Sequence, residues 1–220
     1  MSDGAAVDTD VLLKAAALRM AAECGDVLKS YGRPMALGLT HLIAARQMAR
    51  KRGVRDIGLA QAELAALLGT LGRLEPDELE IMLAAEFASV AQAKGLPLDA
   101  GEAQLAAIVV KRGLPLLVTG DKRAIGALAD LTDGTPTRDV LVGRLACFEQ
   151  VVAAIAGLVG AKAVRDKICA EPEVDGGMRL ACSCGQAEWD PGQLGQACES
   201  FVGDVRKRAG ILLLAGSALA

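Results

Sequence analysis

Residues 98–131 most constrain the fold of this chain. Asp99-Ala-Gly-Glu102 opens an Ala-rich helix that ends near Arg112, with Gly113 as its C-cap. Leu114–Thr119 then reads as an apolar strand, followed by Gly120-Asp121 and a further helix over 122–131. A buried strand held between two helices belongs to a parallel sheet with helices on its faces. In such sheets the crossover connections leave a crevice at the carboxyl ends of the strands. Asp121 falls at such an end, and Asp8 falls just after another apolar run, Ala5-Ala6-Val7. Carboxylates converging on one crevice repel each other unless a cation lies between them, so the pattern points to a divalent metal.

The same reading extends along the chain. Strands are expected at 4–8, 54–59, 114–119 and 139–146. Helices are expected at 10–30, 39–51, 61–71, 75–94, 102–112, 122–131 and 148–159, with Asp10 as N-cap of the first and Pro76 in the first turn of the fourth. Gly32-Arg33-Pro34 ends the first helix. The predicted architecture is a three-layer α/β/α domain over 1–160 with a central parallel sheet, then a helical extension over 161–220.

Composition narrows the function classes. Hydrophobic residues make up 52% of the 220 positions but aromatics only 2%, so Ala, Leu and Val must build the core. So few aromatic faces exclude a base-stacking platform of the kind that binds single strands without sequence preference. The net charge of −3 confines any nucleic-acid contact to local basic patches, of which Arg46, Arg50, Lys51, Lys122 and Arg123 are the candidates. No apolar stretch approaches the ~20 residues of a membrane span, and Met1-Ser-Asp-Gly4 lacks the basic region of a secretory leader. Six cysteines without secretory context read as reduced thiols of a cytoplasmic protein.

Val7-Asp8-Thr9-Asp10, Gly101-Glu102-Ala103 and Val118-Thr119-Gly120-Asp121 together resemble the PIN-domain family, small α/β nucleases with an acidic quartet. The resemblance covers about residues 4–150. It implies Mg2+ or Mn2+ as cofactor, with Asp8, Glu102 and Asp121 as ligands and Glu63 as fourth acid of the site. It further implies hydrolysis of RNA in preference to DNA, a possible homodimer and a possible protein inhibitor, although the chain is longer than the smallest toxins of the family. Phosphodiester hydrolysis suits such a site, because carboxylate-held divalent ions activate water and stabilise charge on the phosphoryl oxygens.

Three other readings compete. Each acid taken alone is also an ordinary helix cap. Asp8-Thr-Asp10-Val-Leu copies the opening motif of haloacid-dehalogenase-type phosphatases, with Asp8 as nucleophile, but Ile125 stands where that family has an Asp. A degenerate domain that binds nucleic acid or a partner without cutting is the third, and an incomplete quartet would support it. Cys169, Cys182, Cys184 and Cys198 could ligate zinc, yet their spacing lacks the two-residue knuckles of zinc sites and suits buried thiols better. His41 reads as a polar helix residue and Trp189 as packing for the extension.

Overall fold

The computed structural model describes residues 4–219; Met1–Asp3, on which most of the leader reading rests, and Ala220 lie outside the described residues. Five short strands form one parallel sheet: β1 (Ala5–Val7), β2 (Met35–Leu37), β3 (Gly72–Leu74), β4 (Leu116–Thr119) and β5 (Leu145–Cys147), in the order β3-β2-β1-β4-β5. The chain starts at the centre, builds outward to β3, then returns to lay β4 against the other side of β1. The reversal leaves its crevice between β1 and β4, where Val7 pairs with Val118 and the Asp8 N–H donates to Val118 O at 2.9 Å.

Side chains alternate across the sheet and feed two hydrophobic cores. Ala5, Val7, Leu116 and Val118 face one core, with α1 (Thr9–Ala17), α2 (Ala21–Lys29), α3 (Gly38–Ala49), α4 (Ile57–Thr70) and α9 (Phe148–Val159). Ala6, Leu117, Leu145 and Cys147 face the other, with α5 (Glu78–Lys94), α6 (Ala100–Arg112), α7 (Lys122–Thr132) and α8 (Pro136–Leu141). Fully buried alanines at 15, 16, 106 and 107 let these helices approach closely, as the scarcity of aromatics requires.

After α9 come α10 (Ala161–Ala170), α11 (Gly176–Ala181) and α12 (Gly192–Ala209), then a 3₁₀ turn at Gly210–Leu212. Helix α12 contributes Leu194 and Cys198 to the first core and Val202, Val205 and Ala209 to the second. Leu213 then bridges in parallel to Leu145, beside the β5 edge. Among the described residues no helix is long and apolar enough to cross a membrane.

Several expectations are corrected. The helix expected over 10–30 is two, α1 and α2, broken at Arg19, which takes a positive φ of 57°. Lys167 donates to Arg19 O there and forms an ion pair with Glu23, holding the break open. Asp8, not Asp10, caps α1. No strand forms at 54–59: Ile57 begins α4, and the second strand is Met35–Leu37, before α3. The strand expected over 139–146 is α8 followed by β5 alone. Pro76 precedes the α5 N-cap, Asp77.

The expectation of six reduced thiols also fails. Cys169 at the end of α10 and Cys184 after α11 are joined in a disulfide, their Cα atoms 5.2 Å apart. Cys24, Cys147, Cys182 and Cys198 are buried thiols. With two of the four late sulfurs bonded to each other, those four cannot make one tetrahedral thiolate site.

Candidate functional site

Both strands flanking the crevice end in an acid. Asp8 leaves β1 with extended backbone and turns its carboxylate over the start of α1, accepting from Thr9 N at 2.7 Å and Asp10 N at 3.4 Å. After β4, the Thr119 hydroxyl accepts from Asp121 N at 3.2 Å and donates to Glu102 Oε1 at 3.5 Å. Glu102 enters from α6, where it forms a capping box with Asp99: Glu102 Oε2 accepts from Asp99 N at 3.0 Å, and Asp99 Oδ1 accepts from Glu102 N at 2.8 Å. The sequence therefore supplies both the cap and the site with one Asp-x-x-Glu motif.

The electrostatics separate these acids into two kinds. Burial pushes the Asp8 carboxyl up to about 6, with repulsion from Asp10 and Asp99 adding to it. Burial pushes Glu102 up to about 7, helped by Asp99, Asp8 and Asp121. Among the described residues neither has a salt-bridge partner: their hydrogen-bond donors are backbone amides and a hydroxyl. Asp121 differs. Arg123 donates to it from Nη2 at 2.7 Å and from Nε at 3.1 Å, which holds its carboxyl below the usual range despite partial burial.

Asp10 is also paired with cations. Lys14 lies 2.9 Å from its Oδ2 and Lys51 3.5 Å from its Oδ1. Lys14 also pairs with Asp175, from the α10–α11 loop, at 3.0 Å. Burial opposes the Lys14 charge, but the two carboxylates outweigh it and push the ammonium up to about 12. Gly120 makes room for this arrangement, because a Cβ there would collide with the Asp10 carboxylate.

A cavity of about 580 Å³ opens over the crevice, lined by Asp8, Thr9, Asp10, Thr40, Gln47 and Asp99 among others. The hydroxyls of Thr9 and Thr40 meet in it at 2.8 Å and tie α1 to α3. An all-oxygen donor set with two carboxylates that lack salt-bridge partners among the described residues, Glu102 buried and Asp8 partly so, has the chemistry that Mg2+ or Mn2+ prefers. As the side chains stand, no three His, Cys, Asp or Glu among the described residues are close enough to hold an ion jointly. Arg123 on Asp121 and the capping box on Glu102 occupy oxygens that an ion would take.

Of the expected site residues, Asp8 and Asp121 each act electrostatically on Glu102. Glu63 does not join them. It sits on α4 against α2, lining a separate cavity with Ala22, Asp26 and Lys29, because the strand expected before it does not exist. The carboxyl end of the true second strand leads instead into Gly38-Leu-Thr40. Lys51 is committed to Asp10, while Arg46 and Arg50 are exposed on α3 and its C-cap. Lys122 bonds Glu149, and Arg123 bonds Asp121.

Sequence reasoning missed Asp99, Thr119, Lys14 and Asp175. The capping-box spacing of Asp99 and Glu102 was legible, whereas Asp175 reaches Lys14 only through tertiary packing. His41 Nε2 is buried without a hydrogen-bond partner among the described residues. No protein-family model, curated protein or solved structure matches this chain.

Proposed function

We propose that this chain is a divalent-metal-dependent nuclease of PIN type that cleaves RNA by water attack on the phosphodiester. The observation that carries this reading is the Asp8–Glu102 pair. These are a partly buried and a buried carboxylate at the switch point of a parallel sheet, raised to about 6 and 7, with no salt-bridge partner among the described residues. Buried acids in that state hold either protons or a metal ion. The strand order β3-β2-β1-β4-β5 supports the reading, because it seats Asp8 and Asp121 on adjacent strand ends.

Asp8 and Glu102 would hold the ion, with Asp121 as third ligand. Bound Mg2+ or Mn2+ supplies an acidified water and charge stabilisation on the phosphoryl oxygens. The chain does the rest. Thr119 orients Glu102 through its hydroxyl, and Asp99 fixes the Glu102 backbone and side chain together. Lys14, held between Asp10 and Asp175, adds a weaker positive field at Asp121 to the dominant contact of Arg123.

One observation favours a non-cleaving variant of the same domain: Arg123 occupies Asp121, and the fourth acid lies elsewhere. A single assay decides between the readings. Wild-type protein with Mn2+ or Mg2+ should cut labelled single-stranded RNA, and Asp8→Asn or Glu102→Gln should slow cutting by at least about 100-fold while the fold persists. Binding without cutting supports the non-cleaving domain. Turnover of small phosphate monoesters through a phospho-Asp8, with RNA and DNA untouched, supports the phosphatase class.

A further inference from the structure

Beside Asp121, a groove runs between α7 and α12 that the acidic crevice does not explain. Lys122, Arg123, Phe201, Asp204, Val205 and Arg208 line its volume of about 200 Å³. The Lys122 ammonium is fixed inside it, bonded to buried Glu149 and seated 4.8 Å from the Phe201 ring centre. Arg208 lies over Gly126, and a Cβ there would come within 3.3 Å of its guanidinium. Arg208 has no ion pair or hydrogen bond among the described residues, whereas Asp204 is occupied by Lys207. Two cationic stretches thus meet at this edge of an acidic protein: Lys122-Arg123 at the start of α7 and Arg206-Lys207-Arg208 at the end of α12.

We infer that the α7–α12 groove is a second binding subsite. Resting on the nuclease reading, it holds backbone phosphates of the RNA strand as that strand leaves the acidic crevice. The charge pattern selects the ligand. Asp8, Glu102 and Asp121 alone would repel a polyanion, so productive approach needs cations on the strand's exit path, and this groove starts one residue after Asp121. Arg208 is the residue with unspent donors, and a guanidinium matches phosphate geometry. The Lys122 ammonium sits over the Phe201 ring that lines the groove, so a base would have to displace it to stack there, and the groove grips the backbone and not the bases. The C-terminal helix thereby supplies one wall of the substrate path.

The test separates binding from cleavage. Anisotropy of a fluorescein-labelled 12-nucleotide single-stranded RNA is measured in EDTA, where no cutting occurs, at several salt concentrations. Arg208→Glu should weaken binding by roughly tenfold and lower the salt slope by about one, with Arg208→Ala intermediate. Lys94→Ala, at the exposed end of α5, should bind like wild type. Unchanged binding by Arg208→Glu overturns the groove, as does an equal loss in Lys94→Ala. If wild type cuts RNA while Arg208→Glu binds normally, the groove fails and the nuclease reading stands. If binding depends on Arg208 and no metal brings cutting, the groove stands and the nuclease reading falls. Wild type that neither binds nor cuts overturns both.

Discussion

Asp175 and Lys14 are 161 positions apart in sequence and 3.0 Å apart in space, and through this pair the C-terminal helices reach the acidic crevice. The same ammonium bonds Asp10, which packs against Gly120 between the ends of β1 and β4. Lys14 is largely buried, so removing one carboxylate leaves its charge undercompensated. Asp175→Asn should cost about 1–3 kcal/mol in urea unfolding, and Asp175→Asn with Lys14→Met should show coupling of similar size. Additive losses would mean that the pair is only a surface contact.

Protonation of Asp8 and Glu102 should set the pH dependence of stability. Their folded values of about 6 and 7 lie above the ordinary 3.8 and 4.5, so the native state binds more protons than the unfolded chain between about pH 4 and 7. Stability therefore falls as pH rises through that window, by no more than about 3 kcal/mol per group. Asp121 and Asp175 are shifted the other way and act only in more acidic solution. The Tm should drop from pH 5 to pH 8 in wild type, and this slope should flatten in Asp8→Asn with Glu102→Gln.

On the nuclease reading, Mn2+ at pH 8 should reverse that loss. An ion that binds the native state alone stabilises it by mass action, about 2.7 kcal/mol at a hundred times Kd. Differential scanning fluorimetry should show a Tm rise with Mn2+ in wild type and none in Asp8→Asn. An equal rise in both would place the ion elsewhere.

The Cys169–Cys184 bond closes a segment that contains Glu171 and Asp175, both of which grip the body of the protein. Glu171 is buried, accepts from Arg55 N at 2.7 Å and pairs with Arg19. Thiol titration in denaturant without reductant should find four reactive cysteines of the six. Cys169→Ser with Cys184→Ser should lose up to about 3 kcal/mol, the chain-entropy ceiling for a loop of this size.

Glu80 offers a control that does not line the acidic crevice. Fully buried, it accepts two bonds from Arg112, at 2.6 and 2.7 Å. Arg112→Met should cost about 3–5 kcal/mol in urea unfolding by stranding that charge, whereas Lys207→Ala, which breaks a fully exposed pair, should leave the unfolding midpoint essentially where it is.

How far the sequence announces this arrangement depends on element length. Helices of ten or more residues with clear caps, such as α6 ending at Gly113 with φ of 65°, stand out through their periodicity. Strands β1, β2 and β3 have three residues each. Strand β1 is an uninterrupted apolar run, whereas β2 passes straight into α3 and β3 carries Arg73 at its centre, so neither of these stands out and the pattern points instead to a strand at 54–59 and to Glu63. The acids Asp8, Glu102 and Asp121 were legible because each adjoins a strand or a cap. Lys14, Asp175 and Arg208 were not, since their roles come from contacts between elements distant in sequence. The disulfide was missed for the same reason, because the α10–α11 turn creates its geometry.

One helix, α12, contributes to both hydrophobic cores, its first half to one and its second half to the other. A nascent chain therefore cannot close either core until residues 192–209 have left the ribosome. Until then Phe148 and Val152 on one side, and Ile125 and Leu145 on the other, lack part of their native cover. Apolar surface on both sides of the sheet is therefore exposed together until the last part of the chain is made, a demand on folding assistance that a sheet domain with self-contained cores would not make.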